Sequence, residues 1–177
     1  ALTYYSQAAD QFPANLPQQC GLLKDRAWLH IYREAWEAAE SDLEQAERLA
    51  TTPTKQADIS DAYAELYRKR KRYELALQYA HQALIHREEA GDILAVAKSY
   101  NMLGNIYISM NYPAKAVAAN NEEYTMFQQI GNLELHAKTR LNIGGDFYLM
   151  EEYEHALTHY QSALNLLTAQ QMSRQVG

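Results

Sequence analysis

Apolar and small residues recur along this chain at i, i+3 or i+4, and i+7, the spacing of one helix face. Ala76, Ala80 and Ala83 form one such stripe, and Ala156, Tyr160 and Ala163 another. Ala39, Leu43 and Ala46 repeat it, as do Ala1, Tyr5 and Ala8. The leading alanines fall at 1, 39, 76, 116 and 156, with steps of 38, 37, 40 and 40. A second stripe runs ahead of the later ones: Tyr63, Ala64 and Tyr67; Tyr100, Leu103, Gly104 and Tyr107; Ile143, Gly144 and Phe147. Small Ala and Gly let two helix axes approach closely, and bulky Tyr and Leu fill the space around the contact. Gly91 and Gly131 suit the left-handed residue that ends a helix. Asp92 and Asn132, which follow them, suit the cap of the next helix. Pro53 and Pro113 suit first-turn positions, where no amide hydrogen bond is lost. The pattern predicts antiparallel helix pairs, none able to bury its apolar stripe alone.

Here the chain resembles the tetratricopeptide repeat family. The residues that carry the resemblance are Tyr100-x2-Leu103-Gly104-x2-Tyr107-x8-Ala116, and Ile143-Gly144-x2-Phe147-x5-Tyr153-x2-Ala156-x3-Tyr160-x2-Ala163. They match the W-x2-L-G-x2-Y…A-x3-F signature. The resemblance implies an all-α fold, a right-handed superhelical solenoid of antiparallel helix pairs forming one domain. Four full repeats are expected, roughly 19–55, 56–95, 96–135 and 136–170. Residues 1–12 are expected to be the second helix of a truncated leading repeat, and 171–177 a tail or the start of a further repeat. The 40-residue period exceeds the ~34-residue standard. It resembles a subset that includes kinesin light chains, GoLoco-binding scaffolds, Rap-type regulators and maltose-activator-type signalling ATPases.

Composition narrows the function classes. Lys and Arg number 16 and Asp and Glu 22, for a net charge of −6. Up to residue 90 there are 11 basic and 14 acidic residues, and 5 and 8 after it, so no basic domain exists. That balance speaks against a nucleic-acid partner, whose footprint is basic. No apolar run approaches the ~20 residues that span a bilayer, so no membrane partner is expected. The single Cys20 excludes an internal disulfide or a Cys-cluster zinc site. Fourteen Tyr against three Phe imply many half-buried rings whose hydroxyls reach water or a partner. The chain does not begin with Met, and a piece of a larger cytoplasmic protein is expected.

The family resemblance also implies which residues face a groove, because the first helix of each pair lines the inner surface. The first full repeat then presents Lys24, Asp25, Trp28, Ile31 and Tyr32, and the second Asp61, Glu65, Arg68 and Lys69. The third presents Lys98, Asn101, Met102, Asn105 and Ser109, and the fourth Lys138, Leu141, Asn142 and Tyr148. A carboxamide offers both a donor and an acceptor, so Asn101, Asn105 and Asn142 suit the main chain of an extended peptide. Members that bind extended peptides carry asparagine at the positions of Asn105 and Asn142. The alternative is that these asparagines are solvated or bond a neighbouring helix. The two-carboxylate clamp of chaperone-binding members is not matched, since Asn101 stands where its first Lys belongs. Trp28 and Tyr32, one turn apart, suit either an aromatic anchor for a partner or packing on the leading repeat. That repeat's register is the poorest: His30 stands where an aromatic belongs and Arg26 where an aliphatic belongs.

Other chemistry is sparse. Arg68-Lys-Arg-Lys-Arg72 reads as a solvated helix end favoured by the macrodipole, with docking of an acidic partner segment as the alternative. His155 and His159 share a helix face at metal-ligand spacing, but on the outward side of a second helix. No metal site and no cofactor are expected. No Walker loop, zinc-protease or nucleophile-elbow motif is present, and no nucleophile–base–orienter set, so no enzyme is expected. Asn120 and Glu123 are polar at packing positions, where they are costly unless satisfied. Arg140 stands where an apolar residue is usual, and a Glu123–Arg140 ion pair is expected. A role for Glu123 in ligand binding is the alternative.

These readings converge on a protein–protein or peptide-binding scaffold. Within that class, the sensor or oligomerisation arm of a larger bacterial signalling or transcriptional regulator is expected. A stand-alone adaptor with a peptide in its groove, or a small-molecule sensor, are the alternatives. Self-association through open repeat ends is also expected.

Overall fold

A computed structural model describes residues 17–176, and the helix expected over residues 1–12 lies outside them. Every element among the described residues is helical. The helices are α1 (Pro17–Tyr32), α2 (Trp36–Leu49), α3 (Pro53–Lys69), α4 (Tyr73–Ala90), α5 (Ile93–Ser109), α6 (Pro113–Ile130), α7 (Leu133–Leu149) and α8 (Tyr153–Val176). They form two compact units that divide between Gly91 and Asp92. In the first unit α1 pairs with α2 and α3 with α4, and α3 packs on both α1 and α2. In the second, α5 pairs with α6 and α7 with α8, and α6 packs on α7.

The punctuation behaves as its chemistry requires. Gly91 and Gly131 sit at φ 69° and 72°, left-handed backbone that glycine adopts without steric cost. Asp92 Oδ1 accepts from the Ala95 amide at 3.0 Å, and Asn132 Oδ1 from the Leu135 amide at 3.1 Å. Pro53 and Pro113 open α3 and α6. The turns inside the pairs carry no such signal, yet they close in a common way. Glu34, Lys71, Asn111 and Glu151 all adopt φ near 60°. Each is followed by an amide that reaches back five residues, as from Ala35 to His30 and from Tyr112 to Tyr107. This is the Schellman closure built on non-glycine residues.

The first unit's core gathers Leu23, Ala27 and Ile31 of α1, Ala39, Leu43 and Ala46 of α2, and Ile59, Ala62, Tyr63 and Leu66 of α3. Tyr63, Tyr67 and Tyr79 stack beside it, with centroids 4.6–6.2 Å apart. The odd register of α1 has a physical cause in α2. Asp42 is buried, and Arg26 grips it with Nε at 2.8 Å and Nη2 at 2.6 Å. His30 Nε2 lies 3.7 Å from the same carboxylate. Buried Asp42 therefore accounts for the two polar intruders. A second pair, buried Arg87 of α4 with half-buried Asp61 of α3, ties the next helix pair.

In the second unit, close approach within each pair depends on a glycine. A Cβ at Gly144 would lie 2.6 Å from the Tyr160 ring, and one at Gly104 2.8 Å from Asn120 Oδ1. Tyr160 and Asn120 hold the same repeat position, so the smaller Asn120 fills less of the space beside its glycine.

Candidate functional site

The expected groove residues of the first unit are drawn into its own contacts. Trp28 packs against the core cluster, while Tyr32 is exposed, with its ring 6.1 Å from that of Trp28. Lys69 Nζ stands 5.9 Å over the Tyr32 ring. Arg68 is held by Glu65 through two contacts of 2.7 Å. Arg70 reaches Glu40 at 2.8 Å, where Tyr67 OH also donates at 3.1 Å. In the basic run 68–72, Arg68 and Arg70 are thus engaged by carboxylates and Lys69 by a ring, while Lys71 and Arg72 are exposed, as a solvated helix end requires.

The second unit brings several expected residues together. Asn105 and Ile108 of α5, and Leu141, Asn142 and Tyr148 of α7, line an open concavity of about 400 Å³. Gly104, Asn120, Gly145, Asp146 and Leu149 complete its wall. Asn105 donates from Nδ2 to Asn101 Oδ1 at 3.3 Å, and Asn101 Nδ2 donates to Glu123 Oε2 at 3.4 Å. Lys98 and Lys138 are exposed on the same helices, α5 and α7.

Glu123 does not pair with Arg140, which corrects the expectation. Among the described residues its partners are Thr139 Oγ1, donating at 3.0 Å, and Asn101. The cause is helical phase. Thr139 is the α7 residue that faces Glu123, and Arg140, one position on, is turned toward Tyr124. Arg140 donates to Tyr124 OH at 2.6 Å, lies 4.1 Å over that ring, and approaches His159 Nδ1 at 3.2 Å. Burial pushes the Glu123 carboxyl above its usual range, with its two hydrogen bonds and the Lys138 charge opposing the shift.

Asp146, absent from the residues expected of the site, stands at its wall. Its residue is 5% exposed, and its Oδ2 accepts from Asn120 Nδ2 at 2.6 Å. No cation forms an ion pair with it among the described residues. Burial pushes its carboxyl up to about 6, opposed only by the Asn120 hydrogen bond. Asn120, 4% exposed, leaves its Oδ1 without a hydrogen-bond partner.

No group of three His, Cys, Asp or Glu among the described residues is arranged to hold a metal. His155 and His159 flank the Phe147 ring at 5.2 and 5.3 Å, and His159 is half-buried rather than outward. Cys20 is buried, with Sγ 3.4 Å from the Ala46 carbonyl, and burial raises its thiol. No helix among the described residues is long and apolar enough to cross a membrane.

No protein-family model matches this chain, and no curated protein matches it. Solved structures do. A signal transduction ATPase with a tetratricopeptide repeat sensor, from Pyrococcus horikoshii, is similar with a TM-score of 0.81 and 17% identity. That match covers 98% of this chain and 27% of the ATPase. A putative kinesin light chain with TPR-like repeats, from Podospora anserina, has a TM-score of 0.73 at 12% identity, covering 97% and 85%. Aspartyl phosphate phosphatase F from Bacillus subtilis has 0.75 at 16%, covering 85% of this chain and 40% of that one. At these identities the likeness shows the fold, an all-α helical repeat of the tetratricopeptide type.

Proposed function

We propose that this chain is a protein-interaction scaffold whose second unit holds an extended peptide by its main chain. One observation carries the reading: Asn105 of α5 and Asn142 of α7 line the same concavity. Each carboxamide can donate to a peptide carbonyl and accept from a peptide amide, binding backbone whatever the side chains. Helices already packed in place hold the carboxamides, so most of the ordering cost falls on the peptide. Leu141, Tyr148 and Leu149 add exposed apolar surface beside them. Lys98 and Lys138 flank this face, and Tyr32 with Lys69 offers a separate aromatic and cationic feature in the first unit. We place the scaffold in a larger signalling or transcriptional regulator, as its sensor or oligomerisation arm. The repeat sensor of the similar ATPase supports that assignment. A cytoplasmic location goes with that reading.

Selection from a randomised phage-displayed peptide library tests the groove. The wild-type chain is expected to enrich peptides at least tenfold over Asn105→Ala/Asn142→Ala, loss of buried interface hydrogen bonds costing about 1–3 kcal/mol. Equal enrichment by both chains would count against the groove.

A second reading, self-association, has its own support. On α8, Tyr153, Leu157, Tyr160, Leu164 and Leu167 are exposed at alternating four- and three-residue steps. That spacing lays one apolar stripe along the helix. Sedimentation velocity is expected to show concentration-dependent association of the wild type and a monomer for Leu157→Glu/Leu164→Glu. Identical sedimentation of the two would remove this reading.

A further inference from the structure

We propose that the concavity of the second unit is a pocket for an arginine side chain, and that Asp146 at its wall recognises the guanidinium. This rests on the peptide-binding reading above and names the side chain that the groove selects.

Three observations on different residues support it. Asp146 is a carboxylate almost wholly removed from water, with one neutral hydrogen bond and no ion pair among the described residues. Isolated buried charges are costly: elsewhere in this chain buried Glu123 is held by two neutral hydrogen bonds, and buried Asp42 meets the cation of Arg26. Asp146 lacks that cation although it lines an open concavity. Second, Asn120 is equally buried and lines the same wall, and its Oδ1 has no donor. That acceptor is pressed against Gly104, with no room for a Cβ between them, so it leaves the wall around Asp146 short of donors without itself facing a ligand. Third, the rim carries Leu141, Tyr148 and Leu149, exposed apolar surface suited to the aliphatic stem of a long basic residue.

The chemistry favours a guanidinium over other donors. It presents five N–H groups in a rigid plane and stays charged at any working pH. One edge can serve the Asp146 carboxylate, and the Tyr148 ring can cover its face. Burial already raises the Asp146 carboxyl, and a bound cation would favour its ionised form. The chain's net charge of −6 adds long-range attraction for a basic ligand.

The test uses capped seven-residue peptides, alanine throughout except for a central arginine or its uncharged isostere citrulline. Binding to the 15N-labelled chain at pH 7.5 is read from the Gly104 and Gly145 amide resonances. The arginine peptide is expected to bind about tenfold more tightly than the citrulline peptide, charge-assisted hydrogen bonds being roughly twice as strong as neutral ones. Asp146→Asn is expected to erase that difference while keeping the fold, as its circular dichroism and melting temperature will show. Equal binding of the two peptides, still lost in Asn105→Ala/Asn142→Ala, overturns the arginine pocket and leaves the main-chain reading standing. Binding of neither peptide overturns the pocket, and the phage selection then judges the main-chain reading separately. An arginine preference that survives Asp146→Asn also overturns it.

Discussion

Asp42→Ala is expected to lower the stability of the first unit by about 3–5 kcal/mol, the cost of stripping one partner from a buried ion pair. The alanine itself is well suited to a helix. The penalty comes from what stays behind: Arg26, with 15% of its side chain exposed, loses both carboxylate oxygens at once. His30 Nε2 loses the Asp42 carboxylate, 3.7 Å away, in the same step. Replacing both partners, as in Arg26→Met/Asp42→Leu, is expected to recover most of the loss, because no buried charge then remains unpaired. Urea unfolding followed by circular dichroism measures both. A loss under about 1 kcal/mol for Asp42→Ala would mean the pair is solvated and stabilises like an exposed one.

Asp146→Asn is expected to do the opposite, stabilising the second unit by about 2 kcal/mol at pH 8, with the gain vanishing near pH 4. The sign follows from the direction of the shift. The folded carboxyl titrates at about 6 against an ordinary 3.8, so between those values the folded state binds more protons than the unfolded one. Wild-type stability therefore falls as pH rises through that window and stays reduced above it. Below the unfolded value the group is neutral in both states and contributes nothing. Asparagine keeps an oxygen for the Asn120 Nδ2 donor and carries no charge. Thermal melts of both chains at pH 4, 6 and 8 give the difference directly. A variant less stable than the wild type at pH 8 would mean that the anion is compensated in the fold.

A buried carboxyl held at a stability cost fits the proposed site, which waits for a counter-charge. It also shows what kind of information the sequence carried. Helix pairing was legible because Ala, Gly and aromatic positions recur together every 37 to 40 residues, and Gly91-Asp92 and Gly131-Asn132 mark the joints. The turns at Glu34, Lys71, Asn111 and Glu151 were not, because a left-handed residue without glycine has no local signature. The polar anomalies were half legible. Asn120 and Glu123 stood out as polar at packing positions, but their partners were assigned by charge rather than by helical phase. Arg140 was chosen because it was cationic, whereas the face opposite Glu123 is set by where α7 turns, and that is Thr139. Asp146 had a signal that went unused. It occupies the repeat position of Leu66 and Ile106, both fully buried and apolar, and a carboxylate there marks either a buried partner or a ligand.

The contact between groove and peptide can be seen in one measurement: the side-chain carboxamide resonances of Asn105 and Asn142, followed by 15N NMR while a peptide from the wild-type selection is titrated in. Both are predicted to shift together and saturate with one dissociation constant, while the Trp28 indole N–H, packed on the first unit's core, stays in place. Saturable binding that moves the Trp28 indole and leaves both carboxamides unchanged would contradict the account.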